Sequence, residues 1–195
     1  MPNWCSNVVT LSHPDLGQVE RARDAFLAGK LLQTFFPCPE ELRNPDSTSY
    51  GGPENKKYET LRSELTEKYG YANWHDWCVD NWGTKWDVTA DGMTTDDYPV
   101  DGNSISISFD SAWAPPVMFY IALEEQGWTV DAFYYEPGMN FCGRFTDGIN
   151  DSYDIEDDPQ WVLDNIPDEI NEMFNISTSM EDMDFEEFNN EDEEY

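Results

Sequence analysis

Positive charge is scarce in this chain, and it is unevenly placed. Ten Lys and Arg stand against 41 Asp and Glu, and after Lys85 the single base is Arg144. Binding to nucleic acid draws on clustered Lys and Arg, so direct nucleic-acid binding is not expected. Histidine is rarer still, with two residues. The chain holds no His-Glu-x-x-His, no Gly-x-Ser-x-Gly and no glycine-rich phosphate loop, which removes the common hydrolase and nucleotide-hydrolysing signatures. The four cysteines, Cys5, Cys38, Cys78 and Cys142, include no Cys-x-x-Cys pair. Their scatter points to reduced thiols, and a composite zinc site with His13 and His75 would lack the close ligand pair such sites use. Neither a metal nor a cofactor is expected. No run approaches the roughly 18–20 apolar residues of a membrane span, and no charged-then-apolar leader opens the chain. The expectation is a soluble cytoplasmic protein with no membrane partner.

What fills the sequence instead is acid. Residues 1–85 carry 9 bases and 12 acids, whereas residues 86–195 carry 29 acids and Arg144 alone. Adaptation to high salt would spread acid over the whole surface, which this split argues against. A near-neutral half joined to a strongly negative half suits a protein that attracts basic protein surfaces and repels nucleic acid and anionic membranes. Aromatics make up 15% of the chain, enough to build a large core in residues 1–150.

Periodicity gives the element order. Ser6 to Leu11 alternates as a strand, and Leu16, Val19, Ala22, Phe26 and Leu27 follow at helical spacing before Gly29. Pro37 and Pro39 interrupt the next stretch, residues 43–54 read as a loop, and Lys56 to Tyr69 reads as a helix. Trp74, Trp77, Cys78 and Trp82 share one face of a short helix ending at Gly83. Strands are predicted at Lys85–Thr89, Ile105–Phe109 and Trp128–Tyr135, with a helix after Pro115-Pro116 and a hairpin strand over Met139–Phe145. This order predicts an α+β, ferredoxin-like split βαβ fold: an antiparallel sheet with helices on one face. Residues 1–149 form that domain with a helical insertion at 31–83. Residues 150–176 are expected as an acidic linker and a helix that Pro167 divides. Residues 177–195 are expected as an acidic tail, disordered when unbound.

Several spaced phrases resemble the YubB ferredoxin-like family of phages and conjugative plasmids. They are Met1-Pro2-Asn3-Trp4-Cys5-Ser6-Asn7, Phe36-Pro37-Cys38-Pro39, Tyr71-Ala72-Asn73-Trp74 and Trp82-Gly83-Thr84-Lys85-Trp86-Asp87. Ser111-Ala112-Trp113-Ala114-Pro115-Pro116 and Glu136-Pro137-Gly138-Met139-Asn140-Phe141-Cys142-Gly143 complete the set. The resemblance covers about residues 1–146. It implies the fold, a bacterial host cell, and a genetic neighbourhood rich in inhibitors of host defence; it implies no activity.

Three functions compete on these residues. The first is a non-enzymatic phage or plasmid protein whose acids imitate nucleic acid and block a basic defence effector of CRISPR or restriction type. Its contacts would be Asp91, Asp96, Asp97 and Asp101 in one loop, and Asp147, Asp151, Asp154, Glu156, Asp157 and Asp158 in another. Trp161, with Glu181, Asp182, Asp184, Glu186 and Glu187 in the tail, would extend that surface, and Phe174, Phe185 and Phe188 would add apolar anchors. The second is a small-ligand or enzymatic domain using the Trp/Asn cluster at 73–86, with Asn3, Trp74, Asn81 and Trp82 lining a pocket. His75 and Cys78, three apart on a helix, would be a thiol–imidazole pair in that reading, although a Trp-rich helix packed on the sheet explains both. The third is an acidic chaperone-like partner of a basic phage protein.

Overall fold

The structure, a computed structural model, describes residues 3–43, 56–90 and 92–181. Strand β1 (Trp4–Ser12) leads into helix α1 (Leu16–Leu27), which Asp15 caps by accepting from the Gly17 N–H at 2.9 Å. Short helix α2 (Leu31–Phe35) ends at Phe36, because the residue before Pro37 is driven out of the helical region. A 3₁₀ turn at Glu40–Arg43, α3 (Lys56–Tyr69) and α4 (Trp74–Trp82) complete the inserted helices. Then follow β2 (Ser104–Ala112), α5 (Val117–Glu124), β3 (Thr129–Glu136), β4 (Phe141–Thr146), β5 (Ile149–Asp154), α6 (Pro159–Asn165) and α7 (Asp168–Phe174).

The fold is α+β, with one five-stranded sheet in the order β2-β1-β3-β4-β5 and every neighbouring pair antiparallel. Strands β2 and β3, joined through α5, both flank β1 and run parallel to each other. That is the split βαβ unit expected from the sequence. Alternation then divides the side chains. Val9, Leu11, Ile105, Ile107, Phe109, Val130, Ala132 and Phe145 face α1, α2, α4 and α5 in the main core. Phe133, Tyr135, Cys142 and Tyr153 face the other way, into a second core with Val162, Ile166, Ile170 and Ile176.

Three expectations change. The sheet carries helices on both faces, since α6 and α7 cover the second core. The stretch expected as an acidic linker at 150–158 is instead β5 plus the lead into α6. The Asp147-Gly148 turn, with φ of 50° and 74°, folds it back on β4. After the left-handed cap at Asn175 a further helical stretch covers 176–181 with Ile176 and Met180 buried, so the part of the tail expected to be disordered begins no earlier than residue 182. Residues 182–195 lie outside the described residues.

The strand expected at Lys85–Thr89 is absent. The Asp87 carboxylate turns inward and accepts from the backbone N–H groups of Leu32, Gln33 and Val88, each at 2.9 Å. This caps α2 and diverts the segment out of ladder pairing, while Val88 and Ala90 are buried. Burial pushes the Asp87 carboxyl above its ordinary value, against the pull of those three donors. Asp87→Ala should cost about 2–3 kcal/mol by stranding two helix-start donors, and Asp87→Asn about half as much. Urea midpoints at constant m-value measure both; equal stability of all three proteins would disprove the capping role.

Candidate functional site

The phrases that carry the family resemblance meet at one end of the sheet and hold one another. The Asn3 carbonyl accepts from Trp113 N–H at 3.0 Å, and Thr84 Oγ1 donates to the Ala112 carbonyl at 3.0 Å. Buried Asn7 donates from Nδ2 to the Cys5 carbonyl and to Ser111 Oγ, which itself donates to the Ala114 carbonyl. Glu136, also buried, accepts from Gly138 and Met139 N–H. Gly83, with φ 88°, brings the end of α4 against Pro115 and Val117, where a Cβ would lie 3.0 Å from the Pro115 carbonyl. Trp82 is fully buried and donates Nε1–H to the Phe36 carbonyl at 2.7 Å. These phrases are joints of the scaffold.

The proposed thiol–imidazole pair is not formed. His75 is exposed with Nδ1 3.1 Å from Asp76 Oδ1, while Cys78 is buried in contact with Cys38. Their hydrogen bond first, then burial, holds the Cys78 thiol high; the same bond and the nearby Arg43 pull Cys38 down. Cys5 and Cys142 are pushed up by burial to about 12. Among the described residues, no three His, Cys, Asp or Glu side chains gather as a metal site would require.

Of the four residues expected to line a pocket, the structure brings two together. Trp74 and Trp82 border a cleft of about 500 Å³ with Lys30, Arg43, Lys85 and Trp86. Asn81 instead donates to the Trp77 carbonyl of its own helix, and Asn3 lies beside Gly138. Trp86, within the 73–86 cluster but not among those four, also borders the cleft. Its signal was adjacency to Lys85, whose Nζ lies 3.9 Å from the ring centroid.

The acids fall into two separate groups. Asp96, Asp97 and Asp101 lie in the exposed loop that leads into β2, where Asp97 accepts from Thr94 N–H and Oγ1 and its carboxyl is held low. Asp91 lies outside the described residues. Asp147, Asp151, Asp154, Glu156, Asp157 and Asp158 lie on and after β5, at the opposite sheet edge. Four interstrand spacings separate the two edges, about 19 Å, beyond the ~8 Å screening distance at physiological ionic strength. The single stripe expected from the sequence is therefore two surfaces.

The larger surface continues onto α6 and α7 through Asp164, Asp168, Glu169 and Glu172, and onto the helical stretch at 176–181 through Glu181. Residues 147–181 hold 11 acids and no base, and every one of these acids is exposed. Half-buried Trp161 packs against the second core, so it supports this surface from beneath. Asp182, Asp184, Glu186, Glu187, Phe185 and Phe188 lie outside the described residues. Arg144 binds the layer down. Its Nε and Nη2 reach Asp131 Oδ1 and Oδ2 at 2.8 and 3.0 Å, its Nη1 reaches Glu169 Oε1 at 2.7 Å, and its guanidinium stacks 4.7 Å from the Phe133 ring centroid.

The open half of that sheet face, over β1 and β2, presents Ser6, Val8, Thr10, Ser106, Ser108 and Asp110. Ser6 Oγ donates to Asp110 Oδ1 at 2.9 Å. With Phe133 and Tyr135 packed into the second core, the exposed aromatic that these two strands leave on this face is Trp4, at one end of β1 beside Trp86.

No family model matches the chain, and neither does any curated protein. Among solved structures it matches the crystal structure of a protein api92 from Yersinia pseudotuberculosis, of family model DUF1281. The match has 12% identity and a TM-score of 0.38, and covers 80% of this chain and 99% of that one. No helix among the described residues is long and apolar enough to cross a membrane.

Concentrating acid has a local cost at Glu124. Burial, and then repulsion from Asp147, hold its carboxyl above the ordinary range. With the folded pKa raised, its stabilising contribution is full below the unfolded value of about 4.3 and is lost as pH rises through the folded value. Glu124→Gln should therefore be more stable than the parent at pH 7 and lose that advantage by pH 4. An advantage independent of pH in urea titrations would contradict this assignment.

Proposed function

We propose that this protein is a non-enzymatic inhibitor that docks its β5–α6–α7 acidic face onto the basic nucleic-acid-binding groove of a host defence protein. The observation that carries the reading is the mounting of that face. Eleven exposed acids, six of them on β5, α6 and α7 and the rest on the segments that join and follow these elements, lie on a layer that a second hydrophobic core and Arg144 hold against the sheet. A duplex presents one charge per ~1.7 Å of axis on a stiff frame, so a competitor for its groove needs fixed charges rather than a mobile tail. Long-range attraction would speed capture, and the absence of bases across residues 147–181 leaves nothing to repel a cationic groove.

The resemblance to phage and plasmid proteins supports a bacterial cytoplasmic setting and a restriction or CRISPR effector as target. The small-ligand or enzymatic alternative keeps Trp74 and Trp82, which border a cleft, but not Asn81 and Asn3, which are engaged in the scaffold. A chaperone-like role for a basic phage protein would use the same face and differs in the partner alone.

Affinity capture from bacterial lysate tests the proposal. The protein should retain a basic nucleic-acid-binding protein at low salt, release it at about 0.5 M salt, and lose it to added duplex DNA. Replacing Asp151, Asp154, Asp157 and Asp158 by Asn should abolish that capture while far-UV circular dichroism stays unchanged. Retention of the same partner by the replaced protein would overturn the assignment of this face.

A further inference from the structure

The cleft between α2, α4 and the Lys85–Asp87 segment carries more bases than acids, the reverse of the rest of the molecule. In a chain of formal net charge −31, three of its ten Lys and Arg residues, Lys30, Arg43 and Lys85, border this one cavity. Among the described residues none of the three is in an ion pair, although Lys68, Arg23 and Arg144 all are. Arg43 is positioned by Nη2 donating to Gln33 Oε1 at 2.9 Å and by its stacking 5.8 Å from the Trp82 ring centroid. Two acids share the lining: Asp87 accepts from three backbone donors, and Glu40 is exposed at the rim and in no ion pair with the three bases among the described residues.

Indoles form the remaining wall. Trp86 is 41% exposed, Trp74 is half-buried, and Trp82 closes the wall. Trp86 and Asp87 also border a neighbouring cavity of about 340 Å³ reached past Trp4, whose ring lies 6.1 Å from that of Trp86. A volume near 500 Å³ suits a small organic ligand, within the usual range of about 300–1,000 Å³. Exposed indole surface takes a flat ring, and cations without an acidic partner beside it take an anionic group.

We propose that this cleft binds a nucleoside monophosphate, its base stacked on Trp86 and its phosphate held by Lys30, Arg43 and Lys85. This site lies at the β2 side of the sheet, away from the acidic face, and stands independently of the inhibitor reading. A single phosphorylated nucleoside also evades the repulsion that the whole molecule exerts on a polyanion, because it carries two charges rather than dozens.

Isothermal titration of the full chain with AMP, adenosine and inorganic phosphate decides the matter. AMP should bind more tightly than either fragment. Lys30→Ala with Arg43→Ala, both exposed positions, should weaken AMP about tenfold or more while leaving adenosine unchanged. Trp86→Ala should weaken AMP and adenosine together, with Trp86→Phe retaining most of the affinity. The urea midpoint of each variant confirms that it folds, and the Lys30/Arg43 pair suffices if Trp86→Ala does not. No AMP binding at millimolar concentration, or AMP binding that the Lys30/Arg43 replacements leave unchanged, would overturn the proposal.

Discussion

One guanidinium holds the acidic half of this molecule to its sheet. Arg144 is the only base after Lys85, and it spends every contact inside the fold. It grips Asp131 on β3 with two nitrogens, reaches Glu169 on α7 with the third, and lies over Phe133. Without it Asp131, Asp151 and Glu169 would meet as like charges around one position, since Asp151 is the cross-strand partner of Arg144. A lysine would supply the charge but not the planar fork that satisfies two carboxylates and stacks at once. The apolar layer of Val162, Ile166 and Ile170 provides the area; Arg144 offsets the electrostatic repulsion that this area must overcome.

The consequence is a molecule with two chemically distinct surfaces. At the β5 edge, ordered helices present acid alone. Toward the β2 edge, which the Asp96–Asp101 loop also adjoins, a tryptophan-lined cleft gathers cations that are in no ion pair among the described residues. The separation exceeds the distance over which exposed charges feel each other at physiological salt, so each edge acts on its surroundings separately. The scaffold between them is rigidified by buried polar joints, of which Asn7 with Ser111 and Tyr120 is the deepest.

Much of this was legible in the sequence because local pattern and final packing agree. The Ser6–Leu11 and Ile105–Phe109 alternations became β1 and β2, and Gly29, Gly83 and Gly127 end their helices with positive φ as helix stops do. The failures have definite causes. Asp87 lies in the middle of a plausible strand, and its destination at the start of α2 is a contact across 54–55 residues that periodicity does not encode. β5 was hidden because Ile149 to Asp154 is mostly polar and, Tyr153 apart, exposed, although Asp147-Gly148 before it is a hairpin signal that outweighed the acidic composition. The pocket was half-legible: tryptophan spacing found Trp74 and Trp82, while Lys30 and Arg43 come from distant segments that only the fold assembles.

The central claim is that the acidic face is rigid, mounted on α6 and α7 as firmly as the sheet beneath is built. Native-state hydrogen exchange resolved to individual amides measures this directly. Interior amides of α6 and α7, such as Val162 and Asn171, should exchange with protection close to that of β3 and β4. Exchange of those helices at nearly unprotected rates, with the sheet still protected, would show a mobile acidic appendage and contradict the account.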